Sequence, residues 1–445
     1  MTAEDPGPLG IVGPYPPYRG GIAHFTERLH RAVENPDGTS SAAVRRVVGI
    51  SFSRQYPGWL YPGSSQETPV TEGPPISTAE QAGASLSETS FHVSPDLPEA
   101  RRDLDSLCPW TGRRAARHLR DAGVTEVVFM VWMPFFCPVY LSVLNGLQRG
   151  GVRSGAAAPS IRTTAIVHNA IPHEWQPFAR PLMRRLLRRM DRVVALSAAV
   201  ADDIAELGGR RRDEIEVRPH PVYNQFGEAV DKTAARKSLG LPPGRPEDLP
   251  EEGPEGRTGA RPVILFFGLV RAYKGLDVLL EALARLPVDQ RPEPHLVVAG
   301  EFYEDEATYR EHAERLGLAN RVHFHGRYIS DEDVHTYFSA ADIVVQPYRH
   351  ATQSGVVQTA FQFGRPVIVT RVGGLPDMVQ DGEDGLIAEP DDPASLADRL
   401  EHALRPDVLQ RLTDGAGRTR NRAGNDWASF AELFASSGQD GPACT

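Results

Sequence analysis

The stretch FFGLVRAYKG puts Arg271 and Lys274 three residues apart, after an apolar run and before an amphipathic one. Two cations converging there suit a departing diphosphate, whose negative charge grows as its bond to sugar breaks. A pair of solvated surface charges is the simpler alternative. The stretch HATQSGVVQTAFQFGRPVIVT, residues 350–370, contains no Asp, Glu or Lys. Ser354 and Gly355 nevertheless open a helix there, and N–H groups at a helix N-terminus hold phosphate without side-chain charge. In VHNAIPHE, His168 sits at the tip of an apolar run, with His173 and Glu174 on the loop beyond it. A strand-tip His is placed for chemistry, whereas two His and a Glu spread over a Pro-containing loop are not a recognised zinc spacing. Gly20 and Gly21 follow LGIVG and let the backbone approach a ligand closely, although a plain strand–helix turn uses the same pair. The Gly pair in TRVGGLPDMV has the same two readings. No G-x-G-x-x-G occurs, which argues against a dinucleotide oxidoreductase.

These residues need elements to carry them, and the hydrophobic pattern supplies a regular set. LGIVG, VVGISF, EVVFMVW, RTTAIVH, RVVALS and IEVRP read as strands in the first half. PVILFFG, HLVVAG, VHFHG, DIVVQP, RPVIVT and GLIAE read as strands in the second. Helical periodicity separates most of them, as in GIAHFTERLHRAV, GLDVLLEALARL and DEDVHTYFSAADI. This alternation predicts right-handed βαβ units and parallel sheets covered on both faces. Twelve strands predict two doubly wound domains, with ligands at the carboxyl ends of the strands. Residues 54–100 read as a long loop, and the Pro-, Gly- and acid-rich 240–261 as a solvated, flexible insertion. Of two D-x-D matches, Asp103/Asp105 reads as part of a charged helix. Asp331/Asp333 reads as an N-cap with first-turn acids. Neither reads as a metal site.

The bulk numbers narrow the class. At 445 residues, 40% hydrophobic and 24% charged, the chain resembles an ordinary soluble enzyme of two or three domains. A net charge of −10 argues against nucleic-acid binding. Cys108, Cys137 and Cys444 are too scattered for a disulfide framework. With no signal peptide expected at the N-terminus, a cytoplasmic location follows. Val127 to Leu144 carries no charge and reaches membrane-spanning length, but Pro134 and Pro138 interrupt it, so a buried strand followed by an apolar loop and helix fits better. RPLMRRLLRRMDR, 180–192, places arginines opposite Leu182, Met183, Leu186, Leu187 and Met190. It reads either as a surface helix packed on its own sheet or as peripheral contact with an anionic membrane, at the inner face of the plasma membrane.

Together, GPYPPYRGGIAHF, SFSRQYPGWLYPG, VHNAIPHE, HPVYNQFG, GLVRAYKGLDVLLEA, VAGEF, VHFHGRYI, AADIVVQPY, SGVVQTAFQFGRPVIVT and VGGLPDMVQDGEDGLI resemble the GT-B glycosyltransferases of the retaining, family-four type. The resemblance implies two Rossmann-like domains facing a cleft: residues 1–222 for the acceptor and 223–405 for the nucleotide sugar, with 406–445 crossing back. It implies transfer of a hexose from a nucleoside-diphosphate sugar to a glycan or lipid-linked acceptor, with no metal or other cofactor. Arg271 and Lys274 match its diphosphate-binding pair, His168 the His near the transferred sugar, and Gly20 and Gly21 the Gly-rich loop near the phosphates. Glu301, Gln353, Ser354, Gly355, Gln358 and Thr359 fall on donor-binding positions. One departure stands out. Two glutamates usual in the family fall on Ala351 and Thr359, so neutral side chains must replace their hydrogen bonds. A non-catalytic sugar-nucleotide-binding protein and a sugar-nucleotide epimerase are the competing readings.

Overall fold

The computed structural model describes residues 7–18, 20–35, 44–57, 66–67, 99–149, 160–171, 178–221, 226–242, 261–287, 293–351, 354–422 and 426–434. The chain forms two compact units. One comprises Met1–Val194, Asp203–Glu216 and Trp427–Thr445, the other Ala195–Asp202 and Val217–Asp426. Most of the expected 54–100 loop and of the 240–261 insertion lies outside the described residues.

The chain first runs β1 (Leu9–Val12), α1 (Gly21–Glu34), β2 (Val47–Arg54), β3 (Ala100–Asp105), α2 (Thr111–Asp121), β4 (Glu126–Val131), α3 (Cys137–Arg149), β5 (Arg162–Val167), α4 (Ala179–Leu187), β6 (Arg192–Ala195), α5 (Ala198–Glu206) and β7 (Ile215–Val217), all in the first unit apart from residues 195, 198–202 and 217. Its sheet has the order β3-β2-β1-β4-β5-β6-β7. The strand order reverses between β1 and β4, whose register is parallel, and such a reversal opens a crevice at the carboxyl ends. The uncharged segment from Val127 becomes the fully buried β4, a short turn and α3. Among the described residues no helix is long and apolar enough to cross a membrane.

RRDLDSL is a correction: it forms the edge strand β3 and not a helix. Its exposed Arg101 and Arg102 alternate unevenly with buried Asp103 and Leu104, so the strand period is blurred. Asp103 pairs with Arg101 and Arg114, and Asp105 with Arg54. In α4 the expected apolar side is buried inside the unit at Met183, Leu186 and Leu187. Four arginines of this segment form local bonds, Arg180 with Glu206, Arg184 and Arg188 with the Leu207 and Gly208 carbonyls, and Arg189 with Asn145 and Gln148, while Arg185 is exposed.

The second unit runs α6 (Lys232–Ser238), β8 (Val263–Phe267), α7 (Leu276–Ala284), β9 (His295–Ala299), α8 (Glu306–Arg315), β10 (Val322–His325), α9 (Asp331–Ala340), β11 (Ile343–Gln346), α10 (Gly355–Gln362), β12 (Val367–Thr370), β13 (Gly385–Ala388), α11 (Pro393–Ala403) and α12 (Pro406–Arg422). Ser330 takes the N-cap position of α9, with Asp331 and Asp333 in its first turn. The sheet order is β10-β9-β8-β11-β12-β13, with every described pairing parallel. Alternate residues serve opposite faces: Ile264, Phe266, Val298, Val345 and Ile368 enter one apolar cluster, and Leu265, Val297, Val344 and Val369 the other. Burial on both faces explains why these strands read as continuous apolar runs. The reversal here falls between β8 and β11.

A final helix, α13 (Asp426–Glu432), belongs to the first unit from Trp427 onwards. Arg45 donates to the Phe434 carbonyl at 2.8 Å and Arg192 to that of Leu433 at 3.0 Å. Trp427 and Phe430 pack on Phe25 of α1.

Below β8, the buried Asp342 carboxylate bonds the Val263 N–H at 2.7 Å and Arg236 at 2.6 Å, and also pairs with Lys232. Burial pushes this carboxyl up, but Lys232 and Arg236 outweigh it and hold it below its ordinary value. Asp342→Asn leaves Arg236 buried without its counter-charge, a loss of about 3–5 kcal/mol. Urea unfolding followed by far-ultraviolet circular dichroism, which reports both units, measures it. Because the folded carboxyl is depressed, the difference from the parent is full above the ordinary carboxylate range and shrinks as pH falls through it.

Candidate functional site

The β8–α7 and β11–α10 loops meet at the reversal of the second sheet. Lys274 closes the short turn Ala272–Lys274 before α7 and is only 8% exposed. Its Nζ lies 5.4 Å from the Tyr348 ring centroid, and no carboxylate forms an ion pair with it among the described residues. The Arg271 guanidinium stacks 4.1 Å over Tyr303. Burial, and secondarily the Arg271 charge, push the Lys274 ammonium down to about 7. A buried ammonium beside a second cation is costly unless an anion arrives. The two cations named from sequence are therefore brought together at a site that favours negative charge.

Backbone geometry brings these loops close. Gly275 has φ +67°, and a Cβ there would lie 2.1 Å from the Pro347 carbonyl oxygen. Gly300 approaches the Gly268 carbonyl so closely that a Cβ would lie 2.2 Å from it. Only glycine fits these two positions.

Arg349 then locks the contact. Its backbone N–H donates to the Tyr273 carbonyl at 2.7 Å. Its side chain donates to the Ala272 carbonyl, to both Asp277 oxygens and to Asp391, each at 2.8 Å. Burial alone would raise the Asp277 carboxyl, but Arg349 holds it below its ordinary value. From the other side, Glu304 accepts the Ala272 N–H at 2.9 Å. Glu301, just past β9, contributes its carbonyl to the Val270 N–H at 2.8 Å.

Ser354 and Gly355 open α10 as expected. The Ser354 hydroxyl does not cap the helix: it donates to Gln346 Oε1 at 3.3 Å, and no side chain caps the first turn. Thr359 donates its hydroxyl to the Gly355 carbonyl at 2.9 Å, so its hydrogen serves its own helix. Gln358 is buried with no hydrogen-bond partner among the described residues, leaving its amide able to donate and accept. Ala351 is buried in the apolar cluster with Tyr348, Val357 and Phe361. Gln353 lies outside the described residues.

On the first unit, His168 follows β5 and donates its N–H to the Val131 carbonyl at 2.8 Å. Its ring stands edge-on to Phe25, 4.7 Å away, and Phe25 is backed by Trp427 at 5.2 Å. Gly20 and Gly21 begin α1 at the carboxyl end of β1. His173 and Glu174 lie outside the described residues.

Two parallel-sheet domains, one with a cationic pair at its sheet reversal, define a class of two-domain transferase fold. Solved structures share it across nearly the whole chain. Sucrose-phosphate synthase from Thermosynechococcus elongatus aligns with TM-score 0.64 at 18% identity, covering 96% of this chain and 97% of its own. The Anabaena protein HepE, in complex with UDP and glucose, aligns with TM-score 0.65 at 15% identity, covering 96% and 98%. At such identities the likeness is one of fold, the GT-B arrangement. The sequence carries the family. Residues 261–405 match the model "Glycosyl transferases group 1" and 148–225 the model "Glycosyltransferase Family 4", and the chain belongs to these GT-B glycosyltransferases. It is similar to the D-inositol 3-phosphate glycosyltransferases of Xylanimonas cellulosilytica, 32% identical over 55% of this chain and 56% of that protein, and of Streptomyces bingchenggensis, 30% identical over 61% and 59%. The chain thus spans a little over half the length of these relatives.

Sequence reasoning missed Arg349, Asp277 and the aromatic supports Tyr303 and Tyr348. The available signal was an arginine just upstream of the acid-free stretch, with Asp277 in the first turn of α7. Arg349→Ala removes charge-assisted bonds and costs about 2 kcal/mol. Hydrogen–deuterium exchange is expected to rise over 271–275 and 347–351 and to stay unchanged at β12 and β13.

Proposed function

We propose that the protein is a retaining glycosyltransferase moving a hexose from a nucleoside-diphosphate sugar to a glycan or lipid-linked acceptor. The observation that carries this reading is the buried Lys274, without an ion pair among the described residues, beside Arg271 at the reversal of the second sheet. In this reading the bond from the anomeric carbon to the diphosphate breaks, and a bond to the acceptor oxygen forms on the same face of the sugar. The acceptor proton passes to the leaving diphosphate, so charge balances without a covalent enzyme intermediate. Arg271, Lys274 and the N-terminal N–H groups of α10 stabilise the departing charge, which is where such sites gain most of their rate. Gln358 supplies neutral hydrogen bonds to donor hydroxyls. His168, held by Phe25, attends the transferred sugar, and Gly20 and Gly21 admit the donor phosphates. Metal is not required, and chelation is expected to leave turnover unchanged.

The complex of HepE with UDP and glucose makes UDP-glucose the natural first probe, followed by other UDP- and GDP-sugars. Release of nucleoside diphosphate with retention at the anomeric carbon supports the reading. Absence of both binding and turnover with every donor sinks it. Donor binding without product points to the non-catalytic reading that the missing carboxylates at Ala351 and Thr359 motivate.

Lys274→Met is expected to lower kcat/KM by about 10²–10³-fold while leaving the melting temperature equal or higher, because it removes a costly buried charge. UDP-glucose affinity carries the matching pH dependence. The free ammonium titrates near 7, and a bound diphosphate raises that value. Affinity is therefore flat below pH 7 and falls above it, by up to about tenfold per pH unit. Calorimetry across pH 6 to 9 reads this directly, and Lys274→Met removes the slope.

A further inference from the structure

The exposed face of α2 carries a feature that neither the fold nor the donor site uses. Trp110 stands at the helix N-cap and is 70% exposed, with Leu107 47% exposed beside it. Arg113, Arg114 and Arg117 continue from Trp110 at helical spacing, all on the exposed side, while Gly112, Ala115, Ala116 and Leu119 bury the opposite side. The Arg113 guanidinium sits 5.5 Å over the Trp110 ring, which orders a cation beside an aromatic edge. Arg101 of the neighbouring strand β3 adds a fourth guanidinium. One buried carboxylate, Asp103, serves Arg101, Arg114 and His118 together. Arg113 and Arg117 have no ion pair among the described residues. Among the described residues four guanidinium groups thus face solvent around the buried Asp103, with the Arg54–Asp105 pair beside Leu107 and Asp121 at the far end of the helix, on a chain whose net charge is −10.

We propose that this stripe is a peripheral docking surface for an anionic lipid bilayer. The charge contrast selects a negative partner, since the rest of the chain repels one. Trp110 and Leu107 select a bilayer over a soluble polyanion: an indole prefers the headgroup boundary, and a leucine gains by leaving water there. The arginines lie beside the phosphates and supply the electrostatic part. The arginine helix at 180–192 carries a comparable set, exposed Phe178 with Arg184, Arg185 and Arg188, but among the described residues no guanidinium is ordered over that ring, and the Arg185 variant below separates the two faces. The proposal is independent of which sugar or acceptor the protein uses.

Co-sedimentation of the full chain with vesicles tests it. The protein is expected to pellet with equimolar phosphatidylglycerol and phosphatidylcholine, to stay in solution with phosphatidylcholine alone, and to be released by salt. Arg113→Ala with Arg117→Ala is expected to cut binding by about tenfold or more. Trp110→Ala weakens it further, and Trp110→Phe recovers part. Arg185→Ala, on the exposed side of α4, leaves it unchanged, and unaltered circular dichroism melting shows that each variant is folded. Equal binding to neutral vesicles overturns the proposal, as does indifference to the Arg113 and Arg117 changes. Binding to heparin that Trp110→Ala does not weaken overturns it in favour of a soluble polyanion.

Discussion

The second unit is arranged around one unfavourable group, the buried Lys274 ammonium. An ammonium taken from water beside a guanidinium, with no ion pair among the described residues, is a standing cost to the folded state. The surroundings make that cost bearable without removing it. Gly275 and Gly300 let three loops approach more closely than any side chain allows. Arg349 spends its donors on Asp277, Asp391 and two carbonyls, so its charge is neutralised while the loop that carries Lys274 is held. Two arginines within one site therefore act differently. Arg271, stacked on Tyr303, adds to the positive field, whereas Arg349 builds the frame.

Much of this was legible in the sequence, for physical reasons that also explain the gaps. Most of the twelve strands announced themselves because parallel strands buried on both faces must be apolar throughout, as PVILFFG and EVVFMVW are; β7 and β10, only partly buried, were short apolar patterns instead. The thirteenth, β3, did not. As an edge strand it pairs only with β2, exposes Arg101 and Arg102, and keeps charged residues that mimic a helix. Lys274, Arg271 and His168 were readable from their place at strand ends. Arg349 was not, because its role depends on Asp391, forty-two residues away, and on carbonyls that have no sequence signature.

The same distinction applies to polar residues inside α10. Sequence offers Ser354, Gln358 and Thr359 as equivalent hydrogen-bonding groups. The fold separates them. Ser354 is committed to Gln346 and Thr359 donates to its own helix, a common fate of hydroxyls within helices. Gln358 keeps both its donor and acceptor functions. Residue type shows capacity, and only packing shows what capacity is left.

The acid-free stretch 350–370 then follows from the electrostatics of its neighbours. A carboxylate at position 351 would stand in an apolar cluster close in sequence to Arg349, whose guanidinium already bonds two aspartates and a carbonyl. The other cations of this loop system are Arg271 and Lys274, and pairing with either would spend the charge that distinguishes the site. Ala351 avoids that conflict. The positive field at the sheet reversal stays available to an incoming anion, and neutral groups such as Gln358 are left to hold hydroxyls, with less charge assistance but without competing for the ammonium.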